Sequence, residues 1–133
     1  MTESYTQILK NAQNILLVDW PNVDLPISLL KAGFTVFSYA PDNYSIAAIK
    51  TEDGKDKLMF KALAGQPHEV DIVNIFRPEN EHEEIISRHV LPLKAKIIWL
   101  QPPVTSTNTA AWATQNGLIF IEGADLVALA KTL

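Results

Sequence analysis

The stretch Ile15-Leu16-Leu17-Val18-Asp19-Trp20-Pro21-Asn22, with the segment from Leu25 to Ala32 behind it, decides how this chain is read. Four consecutive apolar residues ahead of Asp, Pro and Asn predict a buried strand over 15–18. Leu25, Leu29 and Leu30 fall on one face of a helix from about Leu25 to Ala32, and Gly33 stands where a C′ glycine would end it. A strand, a short loop and a helix form the opening unit of a wound α/β sheet. Nucleotide-binding versions of that unit carry a glycine-rich turn, which lets backbone N–H groups approach a pyrophosphate. Here the turn holds a carboxylate, an indole and a proline. The architecture is legible from this stretch, whereas the usual ligand is not.

Working outward, Ser4 and Gln7 have capping-box spacing, and Tyr5, Ile8, Leu9 and Ala12 follow at helical intervals, so a helix is expected over about 4–13. Phe34 to Tyr39 reads as a second strand, stopped by Pro41. Two apolar runs, 44–49 and 57–62, flank Asp53-Gly54, a hairpin signal; a short helix at 57–64 is the competing reading. Regular alternation then resumes. Strands are expected at 70–76, 95–100 and 118–121. Helices are expected from Glu79 to about Leu91, with Ile85, Ile86 and Val90 inward, and from about Thr107 to Gln115, ended by Asn116-Gly117. A closing helix carries Leu126, Leu129, Ala130 and Leu133. Short apolar strands separated by helices predict a three-layer, doubly wound, Rossmann-like sheet, mainly parallel, with a β-hairpin insertion at about 44–62. Residues 1–133 read as a single domain, with no repeat or linker.

Composition narrows the function classes. The 133 residues include 15 acidic and 11 basic side chains for a net charge of −4, and no Lys/Arg run breaks that balance, so no nucleic-acid partner is expected. The absence of cysteine excludes disulfides, thiolate metal sites and cysteine nucleophiles, and fits a cytoplasmic location. Met1-Thr2-Glu3-Ser4 is acidic and polar, unlike a secretory leader, and no apolar run suits a membrane span. His82 and His89 are seven residues apart, which is not the spacing of a zinc pair, and no metal is expected. The acidic run Glu79-Asn80-Glu81-His82-Glu83-Glu84 reads as a solvated face matched to a helix dipole. Ser106, Thr107 and Thr109 read as helix-capping residues, and Trp99 and Trp112 as core.

Three segments carry a family resemblance. Val70-Asp71-Ile72-Val73-Asn74-Ile75-Phe76-Arg77-Pro78, Ala95-Lys96-Ile97-Ile98-Trp99-Leu100-Gln101 and Asn116-Gly117-Leu118 occur in the order found in the CoA-binding-domain family. The chain resembles these small Rossmann-type proteins, which are similar to the N-terminal domain of the succinyl-CoA synthetase α subunit. The resemblance implies a CoA-binding module. It also exposes departures. The family's first strand leads into a Gly-x-Ser type turn that cradles the CoA diphosphate, and the matching positions here are Asp19-Trp20-Pro21. Many members have a cysteine after the last strand, where this chain has Glu122-Gly123-Ala124-Asp125. The chain looks like a divergent branch without the glycine-rich loop.

If the strand order follows the family, the first strand neighbours the strand before Arg77 at the topological switch point, where open α/β sheets bind ligands. The candidate binding residues are Asp19, Trp20, Pro21, Asn22, Tyr39, Pro41, Arg77, Pro78 and Gln101. Arg77 reads either as an anchor for a phosphate or carboxylate, or as the structural partner of Asp19. An unpaired Asp19 about 4 Å from a phosphate charge would cost about 4 kcal/mol at an effective dielectric near 20. A helix N-terminus returns roughly 0.3–1 kcal/mol, or up to about 2 when partly buried. CoA in the usual pose thus requires Arg77 to neutralise Asp19 or a cation to bridge the two anions. Trp20 and Gln101 read as ligand walls or as packing. Three functions follow: a non-catalytic module for CoA or another small anionic, nucleotide-like ligand; a protein-interaction or regulatory subunit, for instance a homodimer paired through the hairpin edge; and a small enzyme using Asp19 as general base beside Arg77.

Overall fold

The computed structural model describes residues 4–39 and 42–133. Its strands are β1 (Asn14–Val18), β2 (Thr35–Tyr39), β3 (Tyr44–Glu52), β4 (Lys55–Ala62), β5 (Ile72–Ile75), β6 (Ile97–Leu100) and β7 (Ile119–Ile121). They form one seven-stranded sheet in the order β4-β3-β2-β1-β5-β6-β7. Pairing is parallel from β2 through β7 and antiparallel in β2–β3 and β3–β4. The expected Rossmann-like, doubly wound arrangement is present.

The hairpin forms as the Asp53-Gly54 signal requires. Both residues take positive φ, 51° and 75°, so a two-residue turn joins Glu52 to its cross-strand partner Lys55. The alternative helix at 57–64 does not form.

The helices are α1 (Tyr5–Lys10), α2 (Asp24–Lys31), a composite α3, α4 (Thr107–Gln115) and α5 (Leu126–Ala130). Ser4 caps α1 by accepting from the Gln7 N–H, Ser106 caps α4 through the Thr109 N–H, and Asp125 caps α5 through Val127. One core holds Ile15 and Leu17 of β1 with Leu25 and Leu29 of α2 and Leu126 of α5. The opposite core holds Leu16 and Val18 with Ile85 and Val90 of α3 and Ala113 of α4. Trp99 is fully buried, as expected, whereas Trp112 is only partly buried at the edge of the second core. Leu133 lies beyond α5 and is exposed, because the helix stops at Ala130 and the inward spacing ends with it. Among the described residues, no helix is long and apolar enough to cross a membrane.

α3 departs from the uniform helix expected over 79–91. It opens with a 3-10 turn (Glu79–Glu81), passes through one α-helical turn (His82–Ile85) and closes with a π turn (Ile86–Val90). The acidic run is also not simply a solvated face, because His82 is buried. His82, Ile85, Ile86 and His89 stand at i, i+3, i+4 and i+7, the spacing of an inward stripe. That pattern overrides the polarity of both histidines.

Candidate functional site

β1 and β5 end side by side, with Val18 paired to Ile75. The residues just past them meet: Arg77 Nη1 donates to Asp19 Oδ2 at 3.1 Å. A third side chain completes the cluster. Arg77 Nε and Nη2 donate to the Glu81 carboxylate at 3.0 and 2.6 Å, a bidentate contact. Glu81 stands four residues after Arg77, at the end of the 3-10 turn that opens α3. The bonds to Glu81, and next to Asp19, hold the guanidinium more firmly charged than an ordinary arginine, and Arg77 lowers the pKa of Glu81. All three side chains are roughly two-fifths exposed, so each pair adds at most about 1 kcal/mol to stability. The cluster therefore sets charge in the crevice more than it holds the fold.

Asp19 has φ +64°, a left-handed conformation few non-glycine residues adopt and one that Asp tolerates. Its Oδ1 accepts from the Trp20 N–H at 2.9 Å, which fixes the carboxylate at the turn. The conformation also breaks strand alternation. Leu17 faces the α2–α5 core and Val18 the α3–α4 core, so an extended chain would send Asp19 with Leu17 and Trp20 with Val18. The left-handed residue reverses this. Asp19 turns toward α3, while Trp20 packs against the α2–α5 core and stacks on Phe60 of β4, with centroids 5.3 Å apart.

A pocket of about 410 Å³ opens at this point. Val18, Asp19, Tyr39 and Arg77 form its sheet side, and Glu81, Glu84, Ile85, Arg88 and His89 its α3 side. Its volume lies within the range of small-molecule sites. The π turn brings Arg88 and His89 to the strands: Arg88 Nη1 donates to Tyr39 Oη at 3.2 Å, and the His89 ring lies 4.3 Å from the Tyr39 ring. Arg88 also pairs with Glu84 at 3.4 Å. Burial, and secondarily Arg88, pushes His89 down to about 4, so the imidazole is neutral at neutral pH. The Tyr44 hydroxyl, its own pKa raised chiefly by burial, is hydrogen-bonded to His89 Nδ1. Glu81, Tyr44, Arg88 and His89 were missed by sequence reasoning. For His89 the i, i+7 stripe with His82 was the available signal.

His82 fixes the backbone beneath Arg77. Its Nε2 donates to the Arg77 carbonyl at 2.8 Å, and Nδ1 lies 2.8 Å from the Thr109 hydroxyl at the start of α4. A carbonyl only accepts, so Nε2 carries a proton. Ser106, the α4 cap, also donates to Glu79.

The remaining expected residues lie elsewhere. Pro21, Asn22 and Gln101 line a second pocket of about 250 Å³, together with Asp125. Gln101 is buried; its Oε1 accepts from Asn74 Nδ2 at 3.2 Å and its Nε2 donates to Asp125 at 2.9 Å. Asn22 accepts from the Asp24 N–H at the start of α2. Pro78 is extended and leads into α3. Pro41 lies outside the described residues. The structure thus brings Asp19, Tyr39 and Arg77 together, and separates them from Trp20, Pro21, Asn22 and Gln101. Among the described residues, no group of three or more His, Asp or Glu side chains is placed to hold a metal.

Comparison with known proteins adds to this geometry. A protein of Thermus thermophilus, cell-free ID.343, is 18% identical, with 95% of this chain and 93% of that one covered at a TM-score of 0.67. A hypothetical protein from Pyrococcus horikoshii OT3 is 15% identical, with 100% and 97% covered at a TM-score of 0.66. Likeness at such identity establishes the shared fold. No curated protein matches the chain. The profile of the CoA binding domain matches residues 28–129, from within α2 to within α5, and leaves β1 and the Asp19 turn outside the match. With that stretch spanning most of the sheet and the β5 end that carries Arg77, the chain belongs to the CoA binding domain family.

Proposed function

We propose that the protein is a non-catalytic binding module that takes CoA or another small anionic, nucleotide-like ligand in the crevice beside Arg77. The observation that carries this reading is the Asp19–Arg77 contact of 3.1 Å at the mouth of a 410 Å³ pocket. The carboxylate that would repel a phosphate is paired with a cation, which lessens the repulsion a phosphate would meet at the turn. Family membership supports the ligand class. Tyr39 offers a ring face for a flat heterocycle. Arg77 acts chiefly by pairing with Asp19 and Glu81, which leaves one of their two negative charges uncompensated.

Calorimetry and thermal-shift assays with CoA, acetyl-CoA and adenine nucleotides test this. CoA is expected to stabilise the wild-type protein, and Arg77→Ala, which releases two carboxylates into the pocket, to abolish the response. A folded wild-type protein indifferent to every one of these ligands overturns the reading.

A second reading, pairing of copies through the open edge of β4, is favoured by the exposure of Met59 and Phe60. It is opposed by Lys55, Lys57 and Lys61 on the same strand, because antiparallel self-pairing centred on Met59 sets Lys57 against Lys61. Light scattering during size exclusion separates the two; a dimer lost on Met59→Glu would favour the interface.

A further inference from the structure

We propose that the open face of the β3–β4 hairpin is the phosphate-binding half of the site, with Lys50, Lys57 and Lys61 holding the phosphates of a ligand whose ring sits against Tyr39. This rests on the reading above and names where the anionic part of that ligand lies.

The register places the lysines together. Ala47 and Leu58 belong to the α2–α5 core, so alternation sends Lys50, Lys55, Lys57 and Lys61 to the other face, the one shared with Tyr39 and Tyr44. Lys50 is directly opposite Lys57, and Lys61 is opposite Ile46, two residues from Tyr44. Lys61 is therefore a diagonal neighbour of Tyr44, roughly 7–8 Å away between backbones. Lys57 lies four residues back along β4, roughly 13 Å away toward the amino end of β2. The face is uncovered: Ala48 and Met59 between the lysines are exposed.

Charge points the same way. The pocket holds three carboxylates, Asp19, Glu81 and Glu84, against two guanidiniums already paired to them. A phosphate finds no unspent cation there. On the hairpin, Lys50 shares its charge with Glu52 at 3.0 Å, while Lys57 and Lys61 have no ion-pair partner among the described residues. Like charges directly opposite on paired strands destabilise a hairpin, and the Lys50–Lys57 pair is relieved when an anion bridges it. A ring in the pocket and a chain of phosphates running down the ribbon match both halves: aromatic and without a free cation within, cationic along the ribbon. An organic di- or triphosphate, CoA included, has that form.

The test compares adenosine, ADP, ATP and CoA on the wild-type protein and on Lys57→Gln/Lys61→Gln, whose substitutions lie on an exposed strand. Affinity is expected to rise from adenosine to ATP in the wild type and to fall with added salt. The double variant is expected to lose about tenfold for ATP and CoA, and nothing for adenosine. Equal ATP and CoA affinity in wild type and variant overturns the hairpin assignment and leaves the binding module standing. Failure of the wild type to bind any of the four overturns both. A single-stranded oligonucleotide that binds more tightly than ATP and depends on the same lysines also overturns it, by assigning the face to a polymer.

Discussion

The carboxyl end of this sheet has two sides, and they spend their polar groups differently. On the α2–α5 side, the buried amides of Asn74 and Gln101 lead to Asp125, the exposed cap of α5, with Trp20 stacked on Phe60 close by. The Gln101 amide is used at both ends. On the α3 side, charged groups meet at the surface around a pocket, with their pairs half in water. Buried hydrogen-bonded amides are expensive to break and hold structure, while exposed ion pairs are weak and can be traded for a ligand. The first side holds structure, and the second is where the proposed ligand would exchange partners with the ion pairs.

The sharpest way to break that division is acid. The unfolded chain protonates His89 near its ordinary 6.5, whereas the folded protein resists until about 4. Between those values the unfolded state binds more protons, so stability falls as pH falls through the window, on the order of 3 kcal/mol in total. Glu81, with its pKa lowered, adds a loss of the same sign at the acid end. Urea titrations from pH 7 to 4 should show the decline, and His89→Phe should flatten it. An unchanged slope in that variant would mean that the α3 side carries no buried proton acceptor of consequence.

A smaller effect is expected across the sheet. Gln101→Ala leaves Asn74 Nδ2 without its acceptor, on a side chain whose Oδ1 already has no protein partner. The expected loss is about 2 kcal/mol, read as a drop of roughly 8 °C in Tm. Ligand response should persist, and a variant that keeps its Tm but loses binding would invert the two roles. Smallest of all is Asp19→Gly. It relieves the left-handed backbone and gives up one exposed ion pair, terms of similar size, so stability should move by less than about 1 kcal/mol. A much larger loss would show that the Asp19–Arg77 contact supports the fold.

The sheet itself was readable because its strands are short apolar runs bounded by Asp, Pro, Asn and Gly. The Asp19–Arg77 meeting was readable through the family resemblance, since each residue follows a strand and the family's strand order makes those strands neighbours. The flanks were not. Trp20 turns the wrong way for an extended chain because Asp19 is left-handed, and no period-two reading anticipates that inversion. Glu81 meets Arg77 at i, i+4 across the extended Pro78 and the 3-10 turn that opens α3, where a uniform helix from Glu79 was expected. The hairpin lysines look scattered in a chain of net charge −4 and converge only once the register of β3 on β4 is known.

His82 has one more implication. Tied to the Arg77 carbonyl on one side and to Thr109 on the other, it clamps the segment from which the guanidinium springs. An arriving molecule would need only side-chain torsions to exchange partners, which turn over in picoseconds to nanoseconds, and not the slower reshaping of a loop. Capture would then be governed by collision and residence by departure, so that ligands differing in tightness would differ in how long they stay.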